Sequence, residues 1–315
     1  MATVITRYTP QHKEEWDNFV RHSKNGTFLF HRDYMDYHRD RFTDCSLMFY
    51  KEGRLKALLP ANIKHEENLL QSHGGLTYGG LVMNGDTRTT EVLEMFDALK
   101  EYMQKELDVK RLQYKPLPYI YNREPGDEPL YALFRHGAKI TARTISTTID
   151  NLYKPSFSEQ RTRCIRKALK NGISCSVSHD TETFWSILTK TLAERHNCNP
   201  VHSAEEISKL KASFPDNIKL YTATKEESAL AGVLVYEMPE TVHFQYIAAS
   251  PEGKEHGALD LLISYLIKDV YSEKRYIDFG ISTEQGGTIL NEGLIHQKEG
   301  FGGRAVVYDT YELDI

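Results

Sequence analysis

The chain has 315 residues, 40% of them hydrophobic and 26% charged, with a net charge of −5. That length suits two domains of ordinary size, and the composition is that of a soluble globular protein. It excludes a membrane-spanning helix, since no apolar run reaches about eighteen residues, and the acidic balance argues against general nucleic-acid binding, DNA included.

The N-terminal stretch MATVITRYTPQHKEEW lacks the basic-then-apolar pattern of a secretory signal, so a cytoplasmic location is expected. Cys45, Cys164, Cys175 and Cys198 have neither the paired spacing of a zinc site nor that of a disulfide framework. No metal is expected.

Trp16 and Phe19, three apart among charged neighbours, predict a helix over residues 10–23, ended by the Asn25-Gly26 turn. A second short helix is expected over 33–41. Strands 46–50 and 55–61 are joined by Lys51-Glu52-Gly53-Arg54, a hairpin turn, and a glycine-rich strand and loop follow over 73–85. Val92, Met95, Phe96, Leu99 and Met103 recur at helical spacing and predict a helix over 91–107. A strand over 109–114, an exposed loop, a helix over 131–136 stopped by Gly137 and a β-branched strand over 139–149 close this half.

The second half repeats the order. Helix 160–171 stops at Gly172, strand 173–177 follows, and Phe184, Trp185, Leu188 and Leu192 mark helix 181–196. Ser203 and Glu206 form a capping box for helix 204–213. Strands over 219–224, 231–237 and 241–249 lead to helix 257–271, strand 275–279, helix 288–299 and strand 305–313. Both halves end in long helix, short strand, short helix, glycine and long strand. The reading is α/β with a mixed sheet, as two tandem copies of one unit, 1–152 and 153–315, divided near Asn151–Lys154 before Pro155.

The most distinctive stretch is Tyr276 to Arg304. Asp278-Phe279-Gly280-Ile281, Gly293-Leu294 and Lys298-Glu299-Gly300-Phe301-Gly302-Gly303 resemble the C-terminal signature of the Fem-type peptidyltransferases, a branch of the GNAT acyltransferase superfamily. One glycine of that signature is missing after Gly280, and Gln297 stands where the family usually has an aromatic residue. The resemblance implies a tandem duplication of two GNAT-like units, with the last strand (about 305–315) returning to the first unit's sheet. It implies direct transfer of an activated acyl group to an amine, with no covalent enzyme intermediate and no tightly bound cofactor. Its donor is aminoacyl-tRNA, which makes tRNA a partner, and its acceptor is a nucleotide-linked peptidoglycan precursor of the bacterial cell wall. No segment is long enough for the helical arm that the family usually inserts in the second unit.

Candidate residues follow. Lys298, on the last turn of a short helix, matches the family lysine at the site of acyl transfer, where a fixed cation stabilises an oxyanion or the leaving oxygen; a cation at a helix C-terminus is also favourable by itself. Asp278, at a strand end, either orients or deprotonates the amine, or caps the following loop. On strand 241–249, His243 and Tyr246 are expected on the face opposite Phe244 and Gln245; one pair could line a groove, with Tyr246 protonating a leaving group.

Lys254, Gly257 and Ala258 stand where the acyl-CoA branch cradles a pyrophosphate at a helix N-terminus, although Glu252 and Glu255 would repel phosphate and an ordinary loop explains the stretch equally well. Tyr78 and Gly79 resemble a family segment that walls the acceptor groove, or are a strand end needing glycine. Arg161, Arg163, Arg166, Lys167 and Lys170 form a basic run that either faces phosphates or is a solvated face. His38, Arg39 and Arg41 lie where the family holds a diphosphate, and Phe301 lies in the signature itself. Arg195, His196, Cys198 and His202 form a loose cluster without metal spacing. The alternatives are an acetyl-CoA-dependent N-acetyltransferase acting on a small amine or amino sugar, and a non-catalytic module that binds a sugar nucleotide or protein partner.

Overall fold

The computed structural model describes residues 2–153, 156–196 and 199–315. The chain forms two compact units. The first comprises residues 1–144, 283–289 and 307–315, and the second 145–282 and 290–306. The chain therefore passes between units inside two long strands and does so more than once; of the expected divide near Asn151–Lys154, Lys154 and the following Pro155 lie outside the described residues.

The first unit begins with β1 (Val4–Arg7), α1 (Lys13–His22) and α2 (Arg32–Met35). Strands β2 (Leu47–Lys51), β3 (Arg54–Leu59), β4 (Asn62–Lys64), β5 (Leu69–Gln71) and β6 (Val82–Met83) follow, then α3 (Thr89–Tyr102), β7 (Arg111–Tyr114), α4 (Glu128–Arg135) and the start of β8 (Lys139–Asp150). β1, β2, β3 and β6 form an antiparallel sheet. β5 pairs antiparallel with β4 and parallel with β7. Val92, Met95, Phe96 and Leu99 of α3 bury one face against Phe49, Leu112 and Tyr114, as their spacing requires. β1, β4 and β5 are too short for alternation to reveal them.

The second unit holds α5 (Glu159–Lys170), β9 (Ser174–Ser178), α6 (Thr181–His196), α7 (Ala204–Ser213), β10 (Ile218–Lys225), β11 (Ser228–Glu237) and β12 (Thr241–Ala249). α8 (Pro251–His256), α9 (Ala258–Tyr265) and β13 (Tyr276–Ile281) come next. After the small β14 (Thr283–Glu284) and β15 (Ile289–Leu290), α10 (Glu292–Glu299) leads into β16 (Arg304–Asp314). β9 to β12 are antiparallel neighbours, β13 lies parallel to β12, and the end of β8 lies antiparallel to β13. The far end of β16, Tyr311–Asp314, pairs with β7 in the first unit. The core gathers Val233, Val235, Phe244, Leu262, Ile263, Ile277 and Phe301.

One expected helix differs. Residues 257–271 are preceded by α8, which Ser250 caps with its side chain on the Gly253 amide and which Pro251 opens. Gly257, at φ +75°, then ends α8 and starts α9; a Cβ there would lie 2.5 Å from the Cys164 carbonyl oxygen of α5.

Candidate functional site

β12 and β13 pair in parallel only from Thr241/Tyr276 to His243/Asp278. Beyond that point β12 runs on to Ala249, displaced by a bulge at Gln245, where Leu234 and Val235 of β11 face Tyr246 and Phe244. β13 turns away at Gly280 (φ +75°). Two strands that part leave no backbone partners between them. The gap is a cavity of about 280 Å³ lined by Ile247, Ala248 and Ala249 of β12, by Phe279, by Leu259 and Ile263 of α9, by Thr191 and Leu192 of α6, and by Lys254, Leu294, Gln297, Lys298 and Phe301.

Lys298 is buried in this wall at 6% exposure. Its ammonium donates to the Gly280 and Ile281 carbonyls, both at 2.8 Å. Burial brings its pKa down from 10.5 to about 8, with the Asp278 charge working the other way. The amine is therefore a cation at neutral pH that yields its proton readily above about 8. Lys254 is exposed at the rim, and Phe301 is fully buried beside Phe279, with the Arg161 guanidinium 5.7 Å from its ring centre.

Asp278 is fully buried. It accepts from the Ser146 hydroxyl, from the Thr148 hydroxyl at 3.0 Å and from His243 Nδ1 at 2.7 Å. A carboxylate so enclosed orients its neighbours; it is not placed to meet an amine itself. This corrects the expectation that Asp278 deprotonates the acceptor. The sequence offered His243 only as a possible groove-lining residue; the signal for its partnership lay in the parallel pairing of His243 with Asp278, which only the fold reveals.

Tyr246 does not line the cavity. The bulge at Gln245 returns it to the face of His243, since their partners Leu234 and Tyr236 are two apart on β11. Strict alternation would have separated the two. Its hydroxyl lies 2.7 Å from His202 Nδ1, its ring packs edge-on to Trp185, and burial raises its pKa to about 12. That reluctance to ionise suits a packing group.

The expected phosphate cradle is only partly assembled. Gly257 and Ala258 are buried, with Gly257 closed against α5, so of the three residues only Lys254 reaches the cavity. Arg163 and Arg166 are exposed on α5 and line no part of it. Arg161 instead pairs with Asp260 of α9 at 2.6 Å.

Arg39, Tyr78 and Gly79 belong to the first unit. Arg39 is exposed, while Tyr78 is 1% exposed, packed between Phe30 and Tyr121. A Cβ on Gly79 would lie 2.2 Å from the Ser72 carbonyl oxygen. Tyr78 and Gly79 thus have packing reasons. In the cluster Arg195, His196, Cys198 and His202, Cys198 lies outside the described residues; among the described residues no group of three or more His, Cys, Asp or Glu could hold a metal ion. No helix among them is long and apolar enough to cross a membrane.

The parting of two parallel strands around a cavity, repeated strand order and exchanged long strands define an α/β protein of tandem GNAT architecture with the Fem-type fold. The model of the acetyltransferase (GNAT) domain matches residues 156–285, the bulk of the second unit, which marks this protein as an acyltransferase. The crystal structure of FemX is 13% identical and superposes over 99% of this chain and 97% of its own with a TM-score of 0.66. The structure of L-PGS from Bacillus licheniformis is 13% identical over 96% of this chain and 91% of that one, with a TM-score of 0.61. A tandem GNAT protein from the clavulanic acid biosynthesis pathway is 12% identical over 99% and 98%, with a TM-score of 0.52. No curated protein matches the sequence.

Proposed function

We propose that the second unit transfers an aminoacyl group from an ester donor, aminoacyl-tRNA, to the amine of a nucleotide-linked acceptor of the cell-wall precursor type. The observation that carries the proposal is Lys298, a buried cation clamped on two carbonyls in the wall of the cavity where β12 and β13 part. The acyl group enters that cavity with its carbonyl oxygen toward Lys298. The ammonium stabilises the oxyanion of the tetrahedral intermediate and supplies a proton to the departing oxygen, as a preorganised donor in a dry site does. Holding donor and acceptor together provides the rest of the acceleration.

The tRNA donor is supported by α5, whose exposed Arg163, Arg166 and Lys170 lie at i, i+3 and i+7 on one basic face, while Arg161 of the same helix reaches the Phe301 wall. The acidic neighbours Glu252 and Glu255 and the buried Gly257 disfavour a CoA pyrophosphate beside Lys254. The folds of FemX and L-PGS agree with this reading. The match to an acetyltransferase domain favours a second reading, acetyl-CoA-dependent N-acetylation of a small amine or amino sugar.

Calorimetric titration with acetyl-CoA separates the two. Absence of heat together with transfer from charged tRNA supports the first; saturation near micromolar, about −8 kcal/mol, overturns it in favour of the second. If neither donor binds or reacts with the protein, a non-catalytic role replaces both.

A further inference from the structure

We infer that His243, held by Asp278, is the base that removes the proton from the attacking amine, an inference that rests on the acyl-transfer reading and deepens it. Oδ1 of Asp278 accepts from the Ser146 and Thr148 hydroxyls, and Oδ2 accepts from His243 Nδ1 at 2.7 Å. A carboxylate at Nδ1 fixes the tautomer in which Nε2 carries the lone pair and stabilises the imidazolium that forms when Nε2 takes a proton.

The Nε2 edge of the ring adjoins Gly280. A Cβ built there would meet His243 Cε1 at 3.3 Å and Nε2 at 3.9 Å, and nothing else within 4 Å. Gly280 is partly exposed, so its missing side chain leaves a notch beside Nε2. The Gly280 carbonyl is also one of the two that hold the Lys298 ammonium. One residue thus separates the basic edge of His243 from the cation that faces the acyl oxygen. Asp278 of β13 is bonded to the imidazole, and Lys298 of α10 lies across Gly280.

The amine lone pair forms a C–N bond to the acyl carbon, and Nε2 accepts the proton that this nitrogen must lose. The C–O bond of an ester donor, or the C–S bond of a thioester, breaks with its electron pair going to oxygen or sulfur, which takes a proton from Lys298. The imidazolium proton returns to solvent and the lysine is reprotonated from it, leaving an amide and an alcohol or thiol.

Carbethoxylation of the full-length protein by diethyl pyrocarbonate, mapped by peptide mass, tests this without knowing the donor, because the reagent reacts with an unprotonated, reachable imidazole nitrogen. Hydroxylamine reversal separates imidazole adducts from lysine adducts. His243 is expected to react at least as fast as the exposed His22 and His179 although it is only 7% exposed, and to slow severalfold in Asp278→Asn.

In turnover with charged tRNA or acetyl-CoA, whichever reacts, His243→Gln should lower kcat by about 10²-fold or more with KM little changed. His243→Gly should regain part of its rate with added imidazole, a rescue that a purely structural histidine would not give. An unreactive His243 in protein whose His22 and His179 react overturns the proposal; reactivity unchanged in Asp278→Asn overturns the role given to the carboxylate. Absence of turnover with both donors would count against the transferase reading, while the carbethoxylation result would still decide whether the pair presents a basic nitrogen.

Discussion

The two units treat the same piece of architecture differently. In the second, β12 and β13 run parallel for three residue pairs, β8 flanks β13 antiparallel, and past the last pair the strands separate around a cavity of about 280 Å³. In the first, β5 and β7 run parallel from Leu69/Arg111 to Gln71/Gln113, and β16 flanks β7 antiparallel. Past the last pair, however, the gap is closed by hydrogen bonds. The Ser72 amide donates to the Gln113 carbonyl at 2.9 Å, the Lys115 amide to the Ser72 hydroxyl at 2.8 Å, and the Gly79 amide to the Lys115 carbonyl at 2.8 Å.

Each gap also has a lysine whose pKa burial brings down to about 8: Lys298 in the second unit, and Lys115 in the first, which donates to the Leu76 carbonyl. What differs is the strand that leads away. β5 ends in a turn at His73 (φ +42°), whereas β12 continues past a bulge directly toward a helix. A turn supplies loose amides and carbonyls that close a gap; a strand that runs on leaves it open. On the proposed reading, chemistry belongs to the second unit and packing to the first.

The largest effect expected from this contrast is on activity. Lys298→Ala should lower kcat by about 10²- to 10³-fold, the usual loss of an oxyanion donor, whereas Lys115→Ala should leave kcat within a fewfold. Equal losses in a single-turnover assay would erase the distinction between the units.

Stability should respond to pH through the same lysines. Below about 8 Lys298 is protonated both folded and unfolded, and its burial penalty is fully present. Between about 8 and 10.5 the folded state releases the proton while the unfolded state keeps it, so stability rises with pH. The shift corresponds to about 3 kcal/mol, and the partly exposed Lys115 contributes less. Denaturant melts from pH 7 to about 10, where tyrosines begin to titrate, should rise less steeply in Lys298→Met than in the parent; an unchanged slope would contradict the burial argument.

Gly257→Ala places a Cβ 2.5 Å from the Cys164 carbonyl oxygen at a left-handed φ. A loss of about 1–3 kcal/mol is expected by thermal or denaturant unfolding. Gly79→Ala should cost a similar amount in the first unit, where the obstacle is again a carbonyl oxygen. The smallest effect should come from Ser250→Ala, which removes the α8 cap and about 1 kcal/mol; it should weaken donor binding only if α8 helps form the site.

The sequence by itself determined the long elements and their order. α3 follows from apolar spacing, α7 from its capping box, the β2–β3 hairpin from Glu52-Gly53, and the tandem plan from the order shared by both halves. It also pointed to Lys298, because the run around it carries a recognisable signature and because a lysine followed by Gly300 and Phe301 is local information. Only the tertiary structure decided the rest. That His243 meets Asp278 depends on the parallel register of two strands more than thirty residues apart. That Tyr246 turns away from the cavity depends on a bulge with no residue signal of its own. That Gly257 packs against α5 instead of opening toward a phosphate depends on which backbone lies opposite. Periodicity and caps are written within one element, whereas a site forms between elements, where pairing register and close approach decide which side chains meet.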